Sequence, residues 1–233
     1  MTYNVHGFKG LDRRLSLSRV ARVILENEPD IVALQEVDVN RHRSGRVDQA
    51  QSLARRLKMD YHFYPAVRTG DELYGLALYS RLPMRLVKAG PLPHVIPFEP
   101  RGAQWFEIEV DGTPVQMINT HLGLRNGERA AQINALLGPE WIGHEDFHDP
   151  AVVCGDFNTP PGTWLFRRIA ERMRTARHVS PVPVRRGTFF GLVAIDHIFV
   201  SPEFEVQNVR VHASLRARLA SDHLPFLADL RLR

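Results

Sequence analysis

Polar side chains that could carry acid–base or metal chemistry follow or interrupt several short apolar runs of the chain. Loops at strand ends can present such groups to a substrate while the sheet holds them still. Taken singly, a carboxylate after a strand is usually a turn former or helix cap, and an isolated histidine is usually structural. Together, however, their chemistry is complementary, which favours one shared site. The residues are Asn4, Glu36, His121, Asp156, Asn158, Asp196, Asp222 and His223.

The oxygen-bearing members of this set suit a hard divalent cation. Asn4, Glu36 and Asp222 offer amide and carboxylate oxygens, with Asp156 as a further candidate, and no thiolate lies among them. Such donors favour Mg²⁺ or Mn²⁺ over a structural zinc ion. We therefore predict a magnesium or manganese site.

A buried aspartate beside a histidine orients the imidazole and stabilises its protonated form. We predict this pairing for Asp196 and His223. The neighbouring His197 would point to the opposite face of the same strand, since successive side chains alternate, and we expect it to pack structurally.

Six short motifs that contain these residues occur in order over nearly the whole chain. In that order the chain resembles the endonuclease/exonuclease/phosphatase superfamily, which has the deoxyribonuclease-I-like fold. A single tripeptide of this kind would be weak evidence, whereas the ordered series is strong. The motifs are Tyr3-Asn4-Val5-His6-Gly7, Leu34-Gln35-Glu36-Val37, Asn119-Thr120-His121-Leu122, Gly155-Asp156-Phe157-Asn158, Ile195-Asp196-His197-Ile198-Phe199 and Ser221-Asp222-His223-Leu224-Pro225.

The resemblance implies an α/β fold, a four-layer α-β-β-α sandwich of two packed, mainly antiparallel or mixed sheets flanked by helices. It places the site at one edge of the sandwich. It also implies that Glu36 is the principal metal ligand, with Asp222 and Asn4 close by.

The resemblance further implies the catalytic roles. Asp156 and Asn158 would position the attacking water and the phosphate, and His121 would donate a hydrogen bond to a phosphoryl oxygen. Asp196 and His223 would form the acid–base pair. The number of metal ions stays open, as does the choice of Asp156 or His223 as the general base.

Two residues differ from the pattern of one branch of the superfamily. Its apurinic-site endonucleases usually carry an aspartate where this chain has His6 and a tyrosine where it has His121. We therefore expect a member of the branch with deoxyribonuclease-like, sphingomyelinase-like and phosphoinositide-phosphatase-like enzymes.

Apolar periodicity predicts the elements that must hold these residues. Ser18 is the expected cap of the first helix, which would run to about Glu28, and Asp111-Gly112 predicts the turn of a β-hairpin. The mixture of elements indicates two packed sheets with helices outside. Further helices are expected at about 47–58, 126–137 and 163–173, and strands at 31–34, 75–79, 103–110, 115–119, 151–154, 195–200, 205–212 and 224–230.

Composition favours one domain, residues 1–233, because a chain of this length can form a single sizeable core. No apolar stretch approaches the roughly 20 residues of a transmembrane helix, and the first residues do not form a secretory signal. A single cysteine, Cys154, suits a reducing compartment, so we expect a cytoplasmic protein. Only three residues precede Asn4, and we expect the natural start to lie upstream.

The formal net charge of +4 favours a polyanionic substrate. We therefore predict a phosphodiesterase acting on nucleic acid. Arg125 could bind a phosphate of the substrate, or it could be an ordinary charged surface residue. The alternative is a phospholipid or inositol-phosphate esterase, and phosphorylated small molecules are further possible substrates. A non-catalytic binding module is the third hypothesis, against which the intact site residues argue. Nothing in the sequence implies a protein partner.

Overall fold

The computed structural model describes residues 1–233 and contains two six-stranded sheets packed face to face. The first sheet has the strand order β11-β12-β1-β2-β4-β3. Its strands are β1 (Thr2–Asn4), β2 (Ile31–Val39), β3 (Asp60–Thr69), β4 (Glu72–Ser80), β11 (Phe204–Val211) and β12 (Phe226–Leu232).

The second sheet has the order β5-β6-β7-β8-β10-β9. Its strands are β5 (Met84–Pro91), β6 (Gly102–Val110), β7 (Thr113–His121), β8 (Ala151–Asp156), β9 (Arg174–Thr175) and β10 (Asp196–Val200). Strands β6 and β7 form the predicted hairpin, and both turn residues, Asp111 and Gly112, have positive φ, as a tight hairpin turn of this type requires.

Each sheet contains one parallel pair among antiparallel neighbours. Strand β1 runs parallel to β2, and β7 runs parallel to β8, whereas the other pairings are antiparallel. A parallel pair needs a crossover, and a helix supplies it in both cases. The mixed sheets confirm the predicted architecture.

Six helices connect the strands, namely α1 (Leu17–Leu25), α2 (Gln49–Leu57), α3 (Asn126–Leu136), α4 (Trp164–Ala170), α5 (Ala176–Val179) and α6 (Leu215–Ala220). The prediction that Ser18 caps the first helix is wrong. Ser16 is the cap, because its hydroxyl accepts a hydrogen bond from the Arg19 backbone N–H at 3.2 Å, while Ser18 lies in the first turn. None of the helices is both long and apolar enough to cross a membrane.

Three apolar clusters hold the layers together. One lies between the first sheet and helices α1, α2 and α6, and a second lies between the second sheet and helices α3 and α4. The third fills the space between the sheets, with Leu78 and Phe226 from one side and Phe106 and Ile198 from the other. This confirms the four-layer sandwich. Cys154 belongs to the third cluster, and burial raises the pKa of its thiol to about 12, so it behaves as a core residue.

A buried polar contact joins the two sheets close to the edge where β1, β7 and β8 end. The Gln35 side-chain amide donates to the Asn119 side-chain oxygen at 2.8 Å, and the Asn119 amide donates to the Leu34 carbonyl at 3.2 Å. Both side chains are fully buried, so leaving either partner unpaired would cost about 1–3 kcal/mol. This contact fixes the alignment of the two sheets beneath the candidate site.

Candidate active site

The predicted site residues meet at one edge of the sandwich because of strand direction. In the first sheet Asn4 ends β1, and Glu36 lies on the neighbouring parallel strand β2. In the second sheet His121 ends β7 directly opposite Asp156, the last residue of the parallel strand β8. Asp196 begins the antiparallel strand β10 and is also paired with Asp156. The carboxyl ends of both parallel pairs therefore lie at the same edge.

Asn4 joins the carboxylates of the two sheets. Its side-chain NH₂ group donates to Glu36 Oε1 at 2.8 Å and to Asp156 Oδ2 at 2.9 Å, while its Oδ1 accepts from the His6 backbone N–H at 3.1 Å. Asn4 is almost fully buried. Glu36 has a positive φ of 62° where the pairing of β2 with β4 shifts register, and this irregularity sets the direction of its side chain.

His223 lies between two buried aspartates. Its Nδ1 is 2.8 Å from Asp196 Oδ2, which confirms the predicted contact, and its Nε2 is 3.7 Å from Asp156 Oδ2. Burial alone would lower the pKa of His223, but the charges of Asp196 and Asp156 outweigh it and raise the pKa to about 10. The imidazole is therefore a cation at neutral pH.

Asp156 is the carboxylate on which the site converges. Burial, followed by the negative charge of Asp196, raises the pKa of Asp156 to about 7, although the hydrogen bond from Asn4 acts in the opposite direction. A carboxyl group with this pKa exchanges a proton near neutral pH, which is the property that a general base requires.

His121 presents a neutral imidazole to the same carboxylate. Its Nδ1 lies 3.2 Å from Arg101 Nη1, a permanent donor, so Nδ1 accepts and the ring proton resides on Nε2. Nε2 lies 3.6 Å from Asp156 Oδ2 and 3.3 Å from the Asn158 side-chain nitrogen, which donates instead to the Leu122 carbonyl at 2.9 Å. Burial and the nearby Arg101 charge lower the pKa of His121 well below that of a free histidine. The residue can therefore donate a hydrogen bond without carrying a charge.

Arg101 is a site residue that sequence reasoning missed. It lies immediately before β6 and is largely buried, and its guanidinium also pairs with Glu99 at 2.6 Å. The register of the β6–β7 hairpin could have indicated Arg101. Counting nine residues from the turn along each strand places Gly102 opposite His121, and Arg101 directly precedes Gly102.

Asn158 and Asp222 complete the arrangement. The Asn158 backbone N–H donates to Asp156 Oδ1 at 3.0 Å, and its side-chain NH₂ donates to the Leu122 carbonyl at 2.9 Å. Asp222 is half-buried, and its Oδ1 lies 3.5 Å from Nδ1 of His6, a second residue whose contact was not predicted.

The donor set fits a divalent cation. Asp156, Asp196 and His223 each offer one ligand atom within 4.8 Å of the others, so this buried group could hold a metal ion that displaces the proton of His223. Oδ1 of Asp196 is buried without a hydrogen-bond partner, and the pKa of Asp156 is raised by burial and then by the negative charge of Asp196. A nearby cation would relieve both conditions. The assignment of Asn4, Glu36 and Asp222 as the ligands stays a prediction.

Two further residues lie apart from this network. Arg125 is exposed at the start of α3, with its guanidinium 5.4 Å from the centre of the Phe98 ring, and makes no contact with the buried group. His197 points away from the site, as expected, and packs against Phe157 and Phe166 while its Nε2 donates to the Thr159 carbonyl at 2.8 Å.

A mainly apolar cavity lies away from this site. It measures about 290 Å³ and opens between the sheets at the opposite edge, beside Met1, Ile31 and Leu230. The site itself is a polar arrangement at the ends of strands rather than an apolar pocket.

The sequence model of the Endonuclease/Exonuclease/phosphatase family matches residues 1–223, and the chain therefore belongs to this family. The family generally hydrolyses phosphoester bonds. An uncharacterized protein of Escherichia coli K12, YbhP, is 28% identical over 260 residues, which cover 100% of this chain and 95% of that protein.

Solved structures share the fold. A functionally unknown conserved protein from Enterococcus faecalis V583 matches with a TM-score of 0.81 and 23% identity, over 100% of this chain and 98% of the other. The mannosyl-6-phosphatase Bt3783 of Bacteroides thetaiotaomicron matches with a TM-score of 0.76 and 20% identity, over 99% and 98% of the two chains. At these identities the likeness concerns the fold.

Proposed function

We propose that the chain is a divalent-metal-dependent phosphoester hydrolase. The observation that carries this proposal is the continuous polar network in which Asn4 links Glu36 to Asp156 and Asp156 faces the Asp196–His223 pair. A module that only binds a ligand has no need of a buried carboxylate with a pKa near 7 beside a cationic imidazole.

Asp156 is the proposed general base. In the reaction, the oxygen of a water molecule forms a bond to phosphorus as the bond to the leaving oxygen breaks, and the Asp156 carboxylate takes the proton of that water. Asn4 and the backbone N–H of Asn158 hold both oxygens of this carboxylate, so its orientation is set before substrate binds.

The two histidines would stabilise negative charge on the phosphoryl group. His223, held as an imidazolium by Asp196, stabilises the negative charge that develops on the phosphoryl oxygens, and Nε2–H of His121 donates a hydrogen bond to one of them. Glu36, Asp222 and Asn4 are the proposed metal ligands, and Mg²⁺ or Mn²⁺ bound there would supply a Lewis acid for the phosphoryl and leaving oxygens.

The substrate class has two leading candidates. The positive net charge favours nucleic acid, as the sequence suggested, whereas hydrolysis of a phospholipid or inositol-phosphate ester uses the same residues on a different substrate. Cleavage of a phosphomonoester is a third possibility, since the structural neighbour Bt3783 is a mannosyl-6-phosphatase.

The test is hydrolysis of a bis-aryl phosphodiester, an aryl phosphomonoester and plasmid DNA, each with Mg²⁺, with Mn²⁺ and with EDTA. We expect metal-dependent turnover of at least one of the three. Asp156→Asn and His223→Asn should each lower turnover by about 10²- to 10⁴-fold. Asp229→Asn is the matched control, because Asp229 pairs with Arg210 on strands β11 and β12, away from the site. Full activity of both site variants, or inertness of the native protein with either metal, would refute the proposal.

A further inference from the structure

Exposed apolar side chains are concentrated around the candidate active site. Of the sixteen large hydrophobic residues that are exposed, twelve lie on the segments that enter or leave strands at the catalytic edge. Single exposed apolar residues are ordinary, but a group of them on one face marks a contact surface. The six most exposed members, with exposed fractions from 50% to 83%, are Ile96, Leu124, Trp164, Phe190, Leu192 and Leu215.

Three of these side chains belong to segments that reach the site. Ile96 belongs to the loop that leads into Arg101, and Leu124 follows Leu122, whose N–H donates to the Asp156 carbonyl at 2.9 Å. Phe190 donates its backbone N–H to the Asp222 carbonyl at 2.7 Å. We call the exposed apolar residues on the segments that enter or leave strands at the catalytic edge, together with the exposed arginines on the same segments, the rim.

Neighbouring rim segments also contact one another. Arg19 donates to the Leu219 carbonyl at the end of α6, and Gly10 lies so close to that carbonyl that it has no room for a side chain. The guanidinium of Arg125 lies over the Phe98 ring and so joins two further segments. The rim segments therefore contact one another at two places beside the site.

Positive charge is interleaved with the apolar residues. Several exposed arginines on the same segments have no carboxylate within ion-pair distance, among them Arg13, Arg14, Arg125, Arg185, Arg186 and Arg218. The exposed carboxylates nearby are neutralised, since Asp12 pairs with Arg19 and Glu99 pairs with Arg101. The rim thus combines projecting apolar side chains with net positive charge.

We propose that the rim docks on the surface of an anionic lipid bilayer, so that the hydrolase acts on the phosphoester of a lipid headgroup. Aliphatic and aromatic side chains would enter the boundary between headgroups and acyl chains, while the arginines contact anionic headgroups. The substrate part of this inference rests on the proposed function, whereas the docking part does not.

Nucleic acid fits the rim less well. Its phosphates would satisfy the arginines, but a nucleic-acid groove uses aromatic rings on which bases stack. Of the six most exposed rim residues, four are aliphatic, and these gain nothing from a sugar–phosphate backbone. Burial in a bilayer stabilises all six.

The experiment is cosedimentation of the whole chain with vesicles, in EDTA so that no lipid is hydrolysed. One set of vesicles contains phosphatidylcholine alone, and the other contains phosphatidylcholine with about 30% phosphatidylglycerol, at low and high salt. We expect binding to the anionic vesicles to be at least tenfold tighter and to weaken as salt is added, since each cation contributes about a factor of five.

Two double variants separate the two contributions. Ile96→Ser with Leu192→Ser removes apolar contact, and Arg14→Gln with Arg218→Gln removes charge. Each pair should weaken binding by about tenfold or more and leave hydrolysis of a soluble bis-aryl diester unchanged. The matched controls are Leu25→Ser, at the far end of α1, and Arg56→Gln on α2, both exposed and away from the rim. These controls should bind as the native chain does.

Three results would overturn the inference. They are equal sedimentation with neutral and anionic vesicles, binding that neither double variant weakens, and retention of duplex DNA that depends on the arginine pair alone. The last result would assign the rim to nucleic acid. Vesicle binding without hydrolysis of any soluble phosphoester would refute the proposed function alone, and hydrolysis of the diester without vesicle binding would refute this inference alone.

Discussion

Replacing Asn4 by aspartate tests whether this residue holds the site together. The native amide donates to Glu36 Oε1 at 2.8 Å and to Asp156 Oδ2 at 2.9 Å. Asn4→Asp keeps the shape of the side chain but turns both hydrogen bonds into contacts between carboxylates. Because the position is buried, solvent cannot screen the repulsion.

The magnitude follows from the distances. Two full charges 2.9 Å apart repel by about 6 kcal/mol at an effective dielectric constant of 20. The folded chain can avoid the repulsion at both contacts by keeping a proton on the introduced carboxyl group, which at pH 8 costs about 6 kcal/mol for a group of ordinary pKa. A proton on Asp156, whose pKa is already about 7, would leave the contact with Glu36 unrelieved. Either way, the variant should lose about 5–6 kcal/mol at pH 8, a large part of the 5–15 kcal/mol that stabilises a typical domain.

The loss should depend on pH with a defined sign. The folded variant binds about one more proton than the unfolded chain, so its stability falls as pH rises, by about 1.4 kcal/mol per unit. Between pH 5 and pH 8 the destabilisation relative to the native chain should therefore grow by about 4 kcal/mol. Urea unfolding in EDTA at pH 5, 6.5 and 8 measures it directly.

Asn208→Asp is the matched control. Asn208 also donates its side-chain NH₂ to a carboxylate, Asp229 Oδ2 at 3.0 Å, but this pair is only partly buried and Arg210 lies beside it. We expect a loss of about 1 kcal/mol there, with little dependence on pH. A loss at Asn4→Asp that is independent of pH, or no larger than that of the control, would refute the linking role of Asn4.

Three other outcomes follow from the same structure. Burial lowers the pKa of His197 to about 4, below the 6.5 of a free histidine, so the free energy of unfolding should fall by up to about 3 kcal/mol from pH 6.5 to pH 4. His197→Gln should reduce this loss in urea unfolding, and His42→Gln, at an exposed histidine, is the control. Asp196→Asn should lower kcat on a soluble diester by about 10²- to 10⁴-fold and lower the pKa of His223 in an NMR titration, and an unchanged pKa would contradict the pairing. Arg101→Gln should lower kcat by about 10- to 100-fold, since the Nδ1 contact of His121 is lost; unchanged kinetics would exclude a positioning role.

The sequence predicted the central strands well, but of the four edge strands it predicted only β11 and missed β3, β5 and β9. The hairpin of β6 and β7 was predicted because Asp111-Gly112 marks its turn between two alternating runs. Strands β3 and β5 were missed, and both lie at sheet edges. Most residues of β3 are only half-buried and it contains Pro65, which an edge strand tolerates, so neither apolar periodicity nor composition marks it as a strand.

The site was predictable by residue type, but of its contacts only the Asp196–His223 pair was predicted. Side chains at the ends of apolar runs pointed to Glu36, Asp156, Asp196 and His223, and the ordered motifs supplied their expected roles. The link through Asn4 could not be predicted, because it depends on how two separate sheets align across the core. The roles of these residues, the identity of the metal and the interpretation of 1–233 as one domain stay predictions.

The two parallel strand pairs explain why the site can exist in otherwise antiparallel sheets. Antiparallel neighbours end at opposite edges, so residues at their carboxyl ends would be separated by a strand length, about 30 Å for nine residues. The crossovers through α1 and α3 instead bring β1 beside β2 and β7 beside β8 in parallel. Asn4 and Glu36 therefore meet in one sheet, and His121 and Asp156 meet in the other. The contact between Asn4 and Asp156 then joins the pairs, so the site depends on the packing of the sheets as well as on the strands that carry its residues.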